Sequence, residues 1–409
     1  MYARSLKCVE CGRTYSLNET VYQCKTCGNL LEVEYDLKTV AEKTGPSNLA
    51  ERKTYSMWRY SELLPVNVDR AVSLGEGFTP LLRAENLSRL IGARDLRLKL
   101  EFYSPTGSFK DRGSSVLISK ARDLGATAVA IDSSGNAATS IAAYSAKTSL
   151  QCYVFTPSYA SLAKLVQAGM SGANVFRVEG TRRDAFEIAT RACEEWGWYY
   201  CGFQTNPFAS DGLKTIVFEV CEQLEWKPPD RMIFPVGTGS GIVGCWTGLR
   251  MLRKLGWIEG TSSLVCVQPE GCAPIVKAFK HGSEEIEAVD HPRTIAEGLM
   301  IGRPLKGKIV LRALQNTKGL ATAASDDEII EAAKLLAKSE GLFVEPSAAT
   351  AIAGLQRSIK EGTIDSDERI ACVLTGTGLK TVETYESRLQ PSSAILPSVD
   401  ELRKVLKKM

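Results

Sequence analysis

Residues 104–113 read Ser-Pro-Thr-Gly-Ser-Phe-Lys-Asp-Arg-Gly, and Lys110 is the side chain with the best setting for covalent chemistry. A lysine amine attacks a carbonyl only when it is desolvated and held against the reacting carbon. A turn at Gly107 and a helix starting beyond it would hold it so. The decapeptide reads equally as an ordinary helix start, with Ser108 as cap and Asp111 in the first turn.

Three further segments separate the two readings. Asp132-Ser-Ser-Gly-Asn-Ala137 follows an apolar run at 126–131 and precedes a small-residue helix at 137–148. Ser133, Ser134, Gly135 and Asn136 there suit a tight strand-to-helix turn whose N–H groups face an anion such as a substrate carboxylate. Read alone, it is also an ordinary turn with an Asn cap. Gly237-Thr-Gly-Ser-Gly241 lies between an apolar run at 232–236 and a helical stretch from 242 to about 255. Gly237, Thr238, Gly239, Ser240 and Gly241 leave a turn almost bare of bulky side chains, so backbone N–H groups and a helix dipole can hold a phosphate. The Gly-Lys-Ser/Thr ending of an ATPase loop and the full dinucleotide fingerprint are both missing. Finally, Leu374-Thr-Gly-Thr-Gly-Leu379 ends a strand-like run from Ile370. The Thr375 hydroxyl suits a pyridine nitrogen that is hydrogen-bonded without being protonated, and Thr375 alone is equally a turn residue.

A lysine that bonds an aldehyde, an amide for a ring oxygen, a phosphate turn and a hydroxyl for a pyridine nitrogen together describe a pyridoxal-phosphate site. In this order they resemble a type II pyridoxal-phosphate enzyme, and the chain is similar to the threonine synthase family of archaeal and bacterial type. The resemblance runs from the cysteine segment at 1–36 through Gly75-Glu-Gly-Phe-Thr-Pro-Leu81 and the lysine motif. It continues through Asn206-Pro-Phe, Gly212-Leu-Lys-Thr215, Gly341-Leu-Phe-Val-Glu-Pro346 and Leu374-Thr-Gly. It implies an α/β fold of two three-layer αβα domains of the tryptophan synthase β type plus a small N-terminal zinc ribbon. It also implies a pyridoxal-phosphate dependent lyase acting on an amino acid, with a homodimer expected.

Departures from the family pattern fall on substrate parts. The segment that helps hold a substrate phosphate, Asn-Ser-x-Asn-Pro-x-Arg in the family, reads Phe203-Gln204-Thr205-Asn206-Pro207-Phe208-Ala209 here. Losing the arginine removes a bidentate fork that neither Gln nor Phe restores. Arg303, in Ile301-Gly-Arg-Pro304 where the family has Ile-Gly-Asn-Pro, is the expected replacement cation. The resemblance implies conversion of O-phosphohomoserine and water to threonine and phosphate. The lost anchors leave open elimination or replacement on a serine-type amino acid, as in serine or threonine deaminases and cysteine or cysteate synthases. A cofactor-binding paralogue without activity is the third reading, and the intact Lys110, Asn136 and Thr375 count against it.

Cys8-x-x-Cys11-Gly and Cys24-x-x-Cys27-Gly form two knuckles whose four thiolates suit a closed, structural Zn²⁺ site; disulfides or bare thiols are the alternatives. The loop between them has one basic residue, Arg13, and Glu19, so no basic stripe speaks for nucleic acid. Fifty Lys and Arg against 47 Asp and Glu leave a net charge of +3, which gives no electrostatic case for nucleic acid or an anionic membrane. With no apolar leader or spanning run, a cytoplasmic enzyme is expected.

The elements that must position these residues alternate. Strand-like runs at 126–132, 151–155, 174–178 and 198–201 are separated by helical stretches starting near Ala137, Ser161 and Arg183, the pattern of a parallel sheet. A second series runs through Met232, Leu264 and Ile370, with helices at 326–338 and 347–360. The expected division is a ribbon at 1–36, a large cofactor-binding domain from 37–125 and 205–395, a small domain at 126–204, and a C-terminal helix at 396–409 after a linker at 390–397.

Overall fold

The computed structural model describes residues 1–133, 135–158, 160, 162–386, 388–389 and 394–407. Ser134 and the first half of the expected linker at 390–397, residues 390–393, therefore lie outside the described residues.

Thirteen strands are present among them: β1 Ala3–Cys8, β2 Thr14–Tyr15, β3 Leu31–Tyr35, β4 Leu81–Arg83, β5 Asp95–Leu100, β6 Ala128–Asp132, β7 Gln151–Pro157, β8 Asn174–Val178, β9 Tyr199–Tyr200, β10 Arg231–Pro235, β11 Ser263–Pro269, β12 Leu320–Ala324 and β13 Arg369–Leu374. They make three sheets. The order β2-β1-β3 is an antiparallel ribbon carrying the cysteine knuckles. The order β8-β7-β6-β9 is wholly parallel. The third, β12-β11-β10-β13-β5-β4, is parallel except for the short edge strand β4.

Both parallel sheets are covered on two faces, and the period of two along each strand shows how. Val129 and Ile131 pack with Ile141 and Ala142 of the helix Asn136–Ala146, while Ala130 between them packs with Ala185 and Ala189 of the helix Arg182–Trp196. In the larger sheet Met232 and Phe234 join Leu249 of the helix Ser240–Lys254 and Leu314 of the helix Gly307–Asn316. Ile233 turns instead toward Ile329 of Asp326–Glu340 and Ile352 of Pro346–Lys360. The result is two αβα sandwiches whose central strands β6, β10, β11 and β13 read as nearly continuous apolar runs because both their faces are dry, whereas the edge strands β4 and β8 are largely exposed.

The segment 37–72 folds as short turns, including the helix Leu37–Lys43 and the 3₁₀ stretch Met57–Leu63, and Trp58 is buried with its indole N–H donating to Glu76 and Ser115. Among the described residues no helix is long and apolar enough to cross a membrane.

Candidate active site

Helix starts converge on one cleft at the carboxyl ends of the parallel strands, where open α/β sheets place ligands. Lys110 opens the helix Lys110–Asp123, Asn136 opens Asn136–Ala146, Arg182 opens Arg182–Trp196 and Ser240 opens Ser240–Lys254, and all four line that cleft. Asp132, Pro235 and Thr375, at or just past the ends of β6, β10 and β13, line it too.

The lysine loop is fixed from several sides. Asp111 accepts from the Thr106 amide at 2.7 Å, the Thr106 hydroxyl at 2.5 Å and Ser140 at 2.6 Å. Its burial pushes its carboxyl up to about 6. Gly107 has φ of 78°, and the Phe109 and Thr377 amides donate to the carbonyls of Thr375 and Gly107, so the lysine loop is laced to the loop after β13. Ser108 does not cap the helix: the N-cap is Phe109, with no side-chain bond, and the buried Ser108 hydroxyl has no partner among the described residues. The reading of this decapeptide as a capped helix start therefore gives way.

Lys110 Nζ lies 4.5 Å from the ring centres of both Phe109 and Phe203. Burial pushes its amine down to about 8; the Arg182 charge adds to this and Glu345 opposes it. An amine so depressed has a substantial neutral fraction near neutral pH, which nucleophilic and proton-removing roles both require.

The other expected residues gather around it. Ser133 Oγ accepts from the Gly135 amide at 3.2 Å, and Asn136 Nδ2 donates to Glu345 at 2.9 Å while its Oδ1 accepts from Lys380 at 3.2 Å. Gly237 to Gly241 all line the cleft, and Gly239 takes φ of 89°, as a turn folded around a bound group demands. The Thr375 hydroxyl makes no hydrogen bond among the described residues and faces the cleft. Arg303 is exposed and is not among the cleft's lining residues, so the geometry gives the expected replacement cation no support. At that point the chain runs along the surface, and the guanidinium stays hydrated.

A family profile described as pyridoxal-phosphate dependent enzyme matches residues 72–376. Threonine synthase of Methanocaldococcus jannaschii is 40% identical over 98% of this chain and 99% of its own length. That of Methanosarcina acetivorans is 36% identical over 98% of both chains. The chain belongs to the threonine synthase family of pyridoxal-phosphate dependent enzymes. Among solved structures, maize serine racemase superposes with a TM-score of 0.66 at 20% identity over 76% of this chain and 91% of its own. The processed form of threonine deaminase isoform 2 from Solanum lycopersicum gives 0.64 at 21% identity over 90% and 97%. Both are likenesses of fold. By its family and its relatives, this chain is a threonine synthase-like, pyridoxal-phosphate dependent lyase.

The residues present fit the cofactor of that family. A depressed amine, an unpaired hydroxyl and a glycine turn at a helix N-terminus face a single cleft, each suited to a different edge of the pyridine ring. Two cations that line the cleft beside them have no local motif. Lys164, buried, sits 3.6 Å from Glu345 and 3.7 Å from Glu297. Arg182, half-buried, has no hydrogen bond or ion pair among the described residues. Of the altered family segment, Phe203 and Gln204 line the cleft, whereas Ala209 is buried in the helix Pro207–Leu213. The rule that helix starts at this sheet edge meet the ligand would have found Arg182, since it directly follows the cap Thr181.

In the N-terminal ribbon the four sulfurs of Cys8, Cys11, Cys24 and Cys27 all lie within 4.8 Å of one another. Cys8 to Cys27 and Cys11 to Cys24 are each 3.5 Å, close to the about 3.8 Å edge of a tetrahedral zinc–thiolate site. The Tyr15 hydroxyl beside Cys24 holds that thiol down to about 5, and the Asn29 amide lowers Cys27.

Proposed function

We propose that this enzyme converts O-phosphohomoserine and water to threonine and phosphate, and that Arg182 supplies the anion anchor the altered 203–209 segment lacks. The observation that carries this reading is an arginine that forms no ion pair among the described residues and lines the same cleft as Lys110; its nearest acidic influence is Asp132, whose carboxylate already accepts from Tyr200. A phosphate monoester dianion needs such a cation, and a guanidinium meets it with two parallel donors.

In this reading Lys110 Nζ would hold the cofactor and, once free, would take protons from the substrate: one leaves Cα, and a second must leave Cβ before the phosphate on Cγ can be expelled. The amides around Gly135 and the Ser133 hydroxyl receive the substrate carboxylate, with Ser134 expected beside them. Asn136 contacts the ring oxygen, Thr375 donates to the ring nitrogen without protonating it, and the turn at 237–241 holds the cofactor phosphate. Phe109 and Phe203 keep water from the lysine. When bound, the cofactor draws electrons from the substrate's Cα and so acidifies its hydrogen. Arg182 and Lys164 would grip the phosphate as it leaves Cγ; the protons taken from Cα and Cβ are returned at Cγ and Cα, while water supplies the hydroxyl at Cβ and the proton that the phosphate carries away.

The test is a panel of O-phosphohomoserine, O-phosphoserine, O-acetylserine, serine and threonine against wild type, Arg182→Ala and Arg303→Ala. Phosphohomoserine should be the preferred substrate, and Arg182→Ala should lose roughly a hundredfold or more in kcat/KM, the usual effect of deleting a charge-assisted anchor. Arg303→Ala should leave it near wild type. Preference for a serine derivative would move the protein to the second reading, elimination or replacement at Cβ, which the apolar Phe203 in the cleft favours.

Four further assignments belong to the same proposal. One structural zinc ion is held by Cys8, Cys11, Cys24 and Cys27. The large domain spans 37–125 and 205–395, and the small one 126–204, each built on its own parallel sheet. The location is cytoplasmic, which suits twelve cysteines that form no disulfide. The assembly is a homodimer acting on a small amino acid, without nucleic acid.

A further inference from the structure

Lys306 immediately precedes the helix Gly307–Asn316 and is 4% exposed. Its Nζ donates to the Phe203 carbonyl at 2.7 Å and to the Ser240 hydroxyl at 3.3 Å, and it forms no ion pair among the described residues. Two neutral acceptors do not compensate a buried ammonium. Burial and the neighbouring Lys110 accordingly push this amine down to about 7. Lys306 is a buried amine with no counter-charge among the described residues to hold its proton.

Its place in the fold says where the counter-charge goes. Ser240, which it touches, is the first residue of a 15-residue helix whose N-terminal dipole and free amides favour an anion. The turn is pressed against the lysine's own segment: a Cβ added to Gly239 would lie 2.7 Å from Val310 and 3.2 Å from Lys306 Cβ. The Ser240 hydroxyl is spoken for on the protein side, donating to Phe203 O at 2.7 Å while accepting from Lys306. That leaves the backbone amides of the turn for the cleft.

We infer that Lys306 is the buried counter-charge of the cofactor phosphate seated on the Gly237–Gly241 turn, acting through Ser240 from behind the cleft wall. The inference rests on the placing of the phosphate at that turn and is independent of which amino acid the enzyme consumes. Lys306 is a positioning residue for an anion and has no part in the proton transfers at Lys110. Pyridoxal, which lacks the phosphate, gains nothing from it.

The test compares binding of pyridoxal phosphate and of pyridoxal to the full chain, followed by the absorbance of the lysine-bound ligand, in wild type, Lys306→Met and Arg182→Met. Wild type should strongly prefer the phosphorylated form. Lys306→Met should lose roughly ten- to hundredfold of its affinity for pyridoxal phosphate and none for pyridoxal, the range expected for a hydrogen-bonded charge. The cofactor-free variant should melt at or above the wild-type temperature, because an uncompensated buried charge has gone. Arg182→Met should keep the preference. An unchanged preference in Lys306→Met overturns the inference, and so does equal weakening of both ligands with a lower melting temperature, which marks a merely structural role. No preference in wild type, or its loss in Arg182→Met alone, overturns the placing of the phosphate at the turn itself.

Discussion

Lys110 sets the pH at which the site becomes competent. Its folded value of about 8 lies below the ordinary lysine value of 10.5, so the neutral amine accumulates above about pH 8 rather than above 10.5. Attachment of pyridoxal phosphate, followed by absorbance, should rise with pH and reach half its final rate near pH 8. Arg182→Met should move that midpoint upward, because it removes a charge that disfavours the ammonium, and Glu345→Gln should move it downward. A midpoint near 10 in wild type would contradict the burial of the amine. Lys110→Ala should abolish the lysine-bound absorbance while leaving the circular dichroism melt intact; covalent cofactor in that variant would refute the assignment. Lys110, Asn136 and Thr375 were legible in the sequence because each sits in a short motif whose local geometry is nearly self-sufficient. Arg182, Lys164 and Lys306 were not, because their significance comes from what faces them across the fold. Arg303, the cation that sequence position alone offers for the lost anchor, lies on the surface, while Arg182 lines the cleft from a helix start more than a hundred residues earlier.

At the scale of elements, the helix Lys110–Asp123 is held by its own next three residues. Arg112, wholly buried, donates to Glu101 at 2.6 and 2.7 Å and to Glu219 at 2.5 and 2.7 Å, and Lys99 donates to Glu219 at 2.7 Å. This ties the helix to the end of β5 and to the helix Thr215–Gln223. Arg112→Leu leaves two buried carboxylates to one lysine and should cost about 3–5 kcal/mol, read from denaturant or thermal unfolding. A loss under about 1 kcal/mol would show that the network is not fixing the helix. Gly113 is required for close approach rather than for flexibility: a Cβ there would lie 2.7 Å from Phe203 and 3.0 Å from the Ala209 carbonyl. Gly113→Ala should therefore cost about 1–3 kcal/mol by overpacking and displace the ring that shields Lys110, seen as a change in the pH midpoint of cofactor attachment. The alternation of strands and helices was legible because both parallel sheets are dry on two faces. β12, Leu-Ala-Thr-Ala-Ala, was not: it has Thr322 as its one β-branched residue, and the helices Pro274–Lys280 and Pro346–Lys360 packed against it explain why small residues serve there.

At the scale of the whole molecule, the ribbon meets the catalytic body through an apolar seam and a few polar contacts: Leu6, Leu31 and Val33 share one buried cluster with side chains of the body, and Tyr22 packs edge-on against Tyr199 and Tyr200 and accepts from the Tyr200 amide. Tyr35 of β3 donates to Asp211 at 2.5 Å, and Asp211 is also paired with the buried Lys214 at 2.5 Å. Arg250 meets Glu32, and Arg312 meets Glu10, nearer the surface. If the ribbon unfolds, Asp211 keeps Lys214, so that buried pair is not orphaned, and no ribbon residue lines the cleft. The ribbon itself has a small core and depends on its four thiolates, since metal binding in such a small unit is folding free energy. Wild type should therefore carry about one zinc ion per chain by metal analysis, and Cys8→Ser/Cys11→Ser should carry none. The double variant should lose protection of the ribbon amides in hydrogen exchange while the helices lining the cleft keep theirs. Its kcat/KM should fall far less than that of Arg182→Ala, since none of the cysteines touches the cleft. Metal-free wild type with an ordered ribbon would remove zinc from the account, and a double variant as inactive as Lys110→Ala would show that the ribbon holds the catalytic body together after all.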